Sequence, residues 1–292
     1  MDLRALNSFA VVAEELHFRK AAARLNVTQP SLSMRIQALE REVGVSLLER
    51  DRRSVVLTEA GRAFLGLAQA AVRSGAEAVT QARRAARGEI GQLRFGFTAL
   101  TSYAGMPELV QRFRLACPDI KIDLVQADSA SLESALLAEE IDIALLHPPL
   151  MKPGLTLKHL EPEELILAIP STHELAKLKA VPLRRLAKQP FLIGPRHIGP
   201  HLYDQIIQAC RRSGFSPTVV QEVAAMTTLI GLVAAGVGCG FVIQSLQVIR
   251  RPGVVFRPIS GTKAPQLATA LAWREGKLSG VGRRMLTVAE MK

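Results

Sequence analysis

The chain has 292 residues, 48% of them apolar, enough for two or three folded units with substantial cores. Its formal net charge of +11 favours an anionic partner, yet residues 1–89 hold 14 basic and 10 acidic side chains and residues 90–292 hold 23 and 16, so the excess is not concentrated in the N-terminal part. Cys117, Cys210 and Cys239 are odd in number, widely spaced and without Cys/His ligand spacing, which suggests neither a disulfide framework nor a zinc site; no 18-residue apolar run exists, and a reduced, soluble cytoplasmic protein is expected.

Residues 2–16 place Leu3, Leu6, Phe9 and Ala13 on one helical stripe, while Arg4, Asn7 and Glu14 interrupt any signal-peptide core. In "FRKAAARLNVTQPSLSMRIQALE", residues 18–40, Ala21, Ala22 and Leu25 share a helix face and Asn26 is a stop. Thr28 is a good N-cap and Pro30 fits the first turn of a second helix. Leu32, Ile36 and Leu39 point that helix inward, leaving Gln29, Ser31, Ser33, Met34, Arg35 and Gln37 outside. A helix, a tight turn and a helix with a hydrogen-bonding outer face is the helix-turn-helix layout; an ordinary helical hairpin has the same spacing. In "VSLLERDRRSVVLT" two short apolar runs flank Asp51-Arg52-Arg53, which predicts a β-hairpin, the wing of a winged helix-turn-helix. Arg50, Arg52 and Arg53 there suit a phosphate backbone or a narrow minor groove, and equally a solvated basic turn.

Thr58-Glu59 starts a long helix that runs to about residue 89. Phe64, Ala68, Ala71, Gly75, Ala78, Ala82 and Ala85 repeat along it with 4-3 spacing, a stripe of small residues that permits close approach of another helix. Such a helix has few neighbours within its own domain, so pairing with a second copy is expected over a plain connector. From Leu93 onward strand-like runs ("LRFGF", "IKIDLVQ", "IDIALLH", "LILAIP", "PFLIG", "PTVVQEV", "VGCGFVI") alternate with helical stretches such as "MPELVQRFRLAC" and "SLESALLAEE". That pattern predicts an α/β region with largely parallel sheets, its ligand site at the carboxyl ends of strands. Gly236, Gly238 and Gly240 follow a helix and precede a strand, the reverse of a nucleotide fingerprint, and read as a helix C-cap and tight turn. No nucleophile with a placed base, no paired catalytic carboxylates and no metal or cofactor motif stands out, so an enzyme is not expected.

Over essentially its whole length the chain resembles LysR-type transcriptional regulators. The resemblance is carried by "FRKAAARLNVTQPSLSMRIQALEREVGVSLLERDRRSVVLTEAG", the long helix after it, and "LVAAGVGCGFVI" in the α/β region. It implies a multidomain α+β protein: a winged helix-turn-helix over 1–58, a linker and dimerisation helix over 59–89, and an effector-binding domain over 90–292. The last resembles the two-lobed periplasmic-binding-protein fold, with lobe one at 90–161 and 267–292 and lobe two at 162–266. It further implies that Thr28, Gln29, Pro30, Ser31 and Ser33 meet double-stranded DNA, and that Lys20, Arg52 and Arg53 hold phosphates. Met34 stands where the family often has arginine, and Arg35 beside it is positioned to take over a guanine or phosphate contact.

In the effector domain the resemblance places three lobe-one segments at the cleft: "FTALTSYAG" with Thr98, Thr101 and Ser102, "QADSASLES" with Ser129, and "LLHPPL" with His147. From lobe two come Pro195, Arg196 and His197, with Met226 and Thr227 as an apolar wall. Arg196 is the expected carboxylate partner, because its planar fork binds two oxygens at once. The implied effector is a small anion, a carboxylate, aromatic ones included. The implied assembly is a homodimer building a homotetramer that contacts RNA polymerase, with no membrane role and no cofactor. Two other readings stay open: a cysteine-oxidation sensor of the same family, and a small-molecule binding protein with no transcriptional role.

Overall fold

The computed structural model describes residues 1–50 and 54–291, which form two compact units, Met1–Arg87 and Gly88 onward.

In the first unit, α1 (Leu3–Glu15) is capped by Asp2, whose carboxylate accepts from Ala5 N. A second helix, α2 (Phe18–Arg24), ends before Asn26, which adopts φ 53°. Helix α3 (Gln29–Val43) opens on the Thr28 hydroxyl, which accepts from Ser31 N, with Pro30 in the first turn, and closes on Gly44 at φ 82°. Left-handed backbone at that point suits glycine, which has no Cβ to clash. Strands β1 (Leu48–Arg50) and β2 (Val55–Leu57) pair antiparallel as the wing; Arg52 and Arg53 lie outside the described residues. Leu6, Phe9, Val12, Ala21, Leu32, Ile36, Leu39 and Leu47 bury one core.

Helix α4 (Glu59–Ala86) is capped by the Thr58 hydroxyl on Gly61 N. The small-residue stripe does not wait as a whole for a second copy. Phe64 meets Phe9 edge-on with ring centroids 5.4 Å apart, Ala68 is buried, and Ala71 packs on the same core. A Cβ on Gly75 would collide with the Leu3 side chain, so the glycine lets α1 lie close against α4. Only Ala78, Ala82 and Ala85 of the stripe remain exposed. The expectation of few neighbours failed because α1 runs alongside half of the long helix.

The second unit holds two large sheets and a small two-stranded one. The first, in the order β4-β3-β5-β15-β6, comprises β3 (Gly91–Phe97), β4 (Ile120–Gln126), β5 (Ile143–Leu146), β6 (Leu155–His159) and β15 (Ala270–Arg274). Strands β3, β4 and β5 are parallel, whereas β15 is antiparallel to both β5 and β6. Helices α5 (Met106–Ala116), α6 (Ser129–Leu137) and, from the chain's end, α9 (Gly280–Glu290) cover it. The second sheet, β10-β9-β11-β7-β12, comprises β7 (Glu163–Pro170), β9 (Pro190–Ile193), β10 (Thr218–Glu222), β11 (Cys239–Ile243) and β12 (Val254–Arg257). Between β7 and β9 lies β8 (Val181–Pro182), which pairs with β13 (Ile259–Ser260), and β14 (Gln266–Leu267) joins β7. Helices α7 (Pro200–Arg212) and α8 (Met226–Ala234) complete this lobe. Both sheets are therefore mixed, because the chain crosses between lobes twice and each crossing adds an antiparallel strand.

The crossings fall after Leu160 and near Ala268, where Leu160 N donates to Thr269 O. Leu267 pairs with Glu163 and is buried in the second core, so it belongs to the second lobe and not, as the sequence suggested, to the first. Gly238 and Gly240 are required by close approach: a Cβ would lie 2.6 Å from Pro190 O and 2.5 Å from Leu192 O, where β11 runs beside β9.

Candidate functional site

In the first unit, α3 presents Gln29, Pro30 and Met34 as exposed residues, with Ser31 and Ser33 half-buried and Thr28 exposed at the cap. Lys20 is exposed on α2. Arg35 is not left outside. Its guanidinium donates to Ser8 Oγ at 2.9 Å and ties α3 to α1, so it is engaged in the core's polar edge. Arg50 is likewise held: it pairs with Glu40 Oε2 at 3.0 Å and lies 4.7 Å over the Phe18 ring. Glu40 was not singled out in the sequence. Its Oε1 accepts from Leu47 N and Leu48 N at 2.9 and 3.0 Å, so a single carboxylate fixes the start of the wing and orients Arg50. Only the three-dimensional fold brings those groups together; the sequence offers an acid on a helix and nothing more.

In the second unit the parallel strands β3, β4 and β5 bring their carboxyl ends to one edge of the first sheet. Phe97 pairs with Leu145, so Thr98 and His147 emerge side by side, and Ala127 N donates to Phe97 O just before Ser129. His147 Nε2 stands 2.9 Å from Thr98 Oγ1, and Nδ1 stands 3.1 Å from Ala268 O. A carbonyl can only accept, so Nδ1 carries the proton and Nε2 accepts from the Thr98 hydroxyl. Withdrawal from water pushes the pKa of His147 down, partly opposed by the bond to Ala268, and the ring is held neutral. Thr101 Oγ1 donates to Thr98 O at 2.9 Å and Ser102 Oγ donates to Ala99 O at 2.6 Å. Ser129 Oγ accepts from His147 N at 3.3 Å and, among the described residues, donates to no protein acceptor. The hydroxyls of Thr98, Thr101 and Ser102 are thus engaged by the scaffold, and Ser129 keeps a proton to give.

The same segment reaches the other lobe. Leu100 and Ala104 pack against the second lobe's core, so the loop after β3 forms part of the seam between lobes. The neighbouring helix start is already partly used: Asp128 accepts from Ser131 N at 2.9 Å, a backbone bond that lowers its pKa.

The second-lobe candidates lie apart from this cluster in character. Arg196 donates through Nε and Nη2 to both oxygens of Asp204, at 2.9 and 3.0 Å, so the fork expected to take a carboxylate ligand already holds one. Arg196 and His197 border an open hollow of about 440 Å³ with Pro200 and Glu222, whose carboxylate is unfavourable to an anion. Pro195 turns the chain, its carbonyl accepting from Ile198 N. Met226 is half-buried against the second core, and Thr227 is exposed in the first turn of α8.

The three cysteines are buried. Burial raises the thiol of Cys117, and pushes Cys210 up to about 11 and Cys239 to about 12. Thiolate, not thiol, is the reactive form, so these sites are chemically quiet at neutral pH. No helix among the described residues is long and apolar enough to cross a membrane.

Two family models match. The model described as "Bacterial regulatory helix-turn-helix protein, lysR family" covers residues 3–62, and "LysR substrate binding domain" covers 86–290. The HTH-type transcriptional regulator AlsR of Bacillus subtilis is 40% identical, with 88% of this chain and 85% of that protein aligned. ShiR of Corynebacterium glutamicum, also an HTH-type transcriptional regulator, is 36% identical over 94% of both chains. Among solved structures, that of CbnR, a LysR family transcriptional regulator, superposes with a TM-score of 0.87 at 29% identity, covering 99% of this chain and all of the other. Full-length CbnR complexed with its target DNA gives 0.85 at 28%, covering 99% and 98%.

Proposed function

Because the chain belongs to the LysR family of DNA-binding transcriptional regulators, we propose that a small carboxylate bound beside Ser129 controls its grip on DNA. The observation that carries this is the state of the hydroxyls at the carboxyl ends of β3, β4 and β5. Thr98, Thr101 and Ser102 are internally committed, and Ser129 alone of the four retains a free donor. A donor at a strand end beside the lobe seam is where a ligand bridges both lobes. Arg196 is set aside as the anion's partner, since Asp204 fills its fork.

On the DNA side, Gln29, Pro30, Ser33 and Met34 make the base-facing surface, and Lys20 with the wing supplies phosphate contacts. One good bidentate base contact is worth roughly 1–3 kcal/mol of discrimination. Copies pair through the exposed part of α4 into dimers and then tetramers, and effector entry shifts the two lobes, changing DNA bend and contact with RNA polymerase. An effector acts only through a difference in affinity between the two arrangements.

Thermal unfolding against short aliphatic and aromatic carboxylates tests this, with Ser129→Ala and Arg196→Ala alongside. A ligand at 100 times its Kd stabilises the folded state by about 2.7 kcal/mol. The expected result is a shift with a carboxylate that disappears in Ser129→Ala and persists in Arg196→Ala. The reverse pattern would return the site to the second lobe.

A further inference from the structure

The effector domain's excess positive charge is not spread over both lobes. Residues 162–266 carry twelve Lys and Arg against five Asp and Glu, while 90–161 and 267–292 together carry eleven of each. The first lobe also pairs its cations: Arg94 with Asp142, Lys121 with Asp123, Lys158 with Glu290, Arg274 and Lys277 with Glu139. In the second lobe, among the described residues, only Arg185 and Arg196 have carboxylate partners.

Five of the twelve fall within one short stretch at the β12 edge of the second sheet. Two 3-10 turns, Glu174–Lys177 and Leu183–Leu186, are joined by β8 and brought together by the Arg185–Glu174 pair at 3.2 Å. Arg257 on β12 donates to Ala176 O through Nε and Nη2, at 3.2 and 2.9 Å, and pins the first turn in place. Lys177, Lys179, Arg184, Arg185 and Lys188 are all exposed there, whereas Leu175, Ala176, Val181, Leu183 and Leu186 are all buried. The surface is thus basic, rigidly backed and without an exposed large apolar side chain between residues 171 and 190. Protein–protein interfaces are depleted in lysine and need an apolar centre, whereas nucleic-acid interfaces are polar and rich in Lys and Arg.

We propose that these two turns, with Lys177, Lys179, Arg184 and Lys188, form a second, sequence-independent docking surface for the phosphates of duplex DNA, separate from the helix-turn-helix. The inference rests on the chain binding DNA through its first unit, but adds phosphate-binding cations that the first unit does not supply. Four lysine and arginine side chains placed on phosphates release counterions and steepen the salt dependence of binding.

The test is full-length protein on a long duplex of arbitrary sequence, with affinity followed against salt concentration. One variant carries Lys177→Gln, Lys179→Gln, Arg184→Gln and Lys188→Gln, sparing Arg185. A control of equal charge change carries Arg114→Gln, Lys121→Gln, Lys152→Gln and Lys277→Gln, all exposed on the first lobe. Each phosphate deprived of its cation lowers the slope of log K against log salt by about 0.9, so the second-lobe variant is expected to show a slope shallower by up to about 3.6 and the control much less. Unchanged unfolding temperatures verify that both variants fold. A slope equal to wild type overturns the proposal; if binding of RNA polymerase then weakens instead, an acidic protein is the partner. An equal fall in both variants also overturns it, as an effect of net charge alone. No duplex binding by the wild type at any salt would sink the DNA reading as a whole, which is distinguishable from the absence of the second surface alone.

Discussion

His147 shows how a side chain without an exposed charge organises this molecule. It joins the loop after β3, the start of α6 and the second crossing between lobes through Thr98, Ser129 and Ala268. Its pKa is lowered by withdrawal from water, so below its unfolded value near 6.5 the unfolded chain binds a proton that the folded chain refuses. The stability this group supplies is therefore complete above about pH 6.5 and is lost as pH falls through the depressed folded value. Unfolding temperature measured from pH 8 to pH 5 is expected to drop across the acidic half for the wild type. In His147→Gln, which keeps hydrogen-bonding atoms but cannot titrate, that drop is expected to flatten while the whole curve sits lower. Parallel curves would show that His147 is not the group responsible. Arg35, Arg50 and Arg196 teach the complementary lesson. Each looks like a free cation in the sequence, and each is already held by Ser8, by Glu40 and Phe18, or by Asp204.

Among the elements, the ones legible in advance were those with local signatures. Thr28 and Thr58 mark helix starts because a hydroxyl before a helix satisfies backbone N–H groups that nothing else reaches. Strands β3, β4, β5, β7, β9, β10 and β11 announce themselves as apolar runs. Strands β6, β12 and β15, "LTLKH", "VVFR" and "ALAWR", are not among those runs, and each is held by antiparallel pairing with another strand of its sheet. The site was legible as a set of loops, since strand ends follow from the strands. It was not legible as a constellation: Thr98 and His147 meet only because β3 and β5 are adjacent and parallel, in a register no local signal sets. The glycine run after α8 offers a direct check on one such neighbour relation. In Gly240→Ala the new methyl would stand 2.5 Å from Leu192 O and 3.2 Å from the Leu229 side chain, forcing β11 and β9 apart. Overpacking of this kind costs about 1–3 kcal/mol, which for a domain of this size lowers the unfolding temperature by roughly 2–4 °C per kcal/mol. A variant as stable as wild type would mean that the sheet yields there without cost.

At the scale of the whole molecule, the chain joins a helix-turn-helix unit to a two-lobed unit, and the proposed regulation requires that a carboxylate at Ser129 and duplex DNA bear on one equilibrium. Buried cysteines with thiols held near 11 and 12 weigh against regulation by oxidation. If ligand and DNA act on one equilibrium, each must change the other's affinity by the same factor, typically about 5–150-fold. The most direct measurement is the affinity of the full-length protein for its stabilising carboxylate, determined without DNA and again with a saturating duplex selected by the protein itself, then the reciprocal pair. The two ratios are expected to agree and to lie in that range, and in Ser129→Ala the carboxylate is expected to leave the affinity for DNA unchanged. Equal carboxylate affinity with and without DNA in the wild type would contradict this coupling, because the ligand would then bind without bearing on what the protein does to DNA.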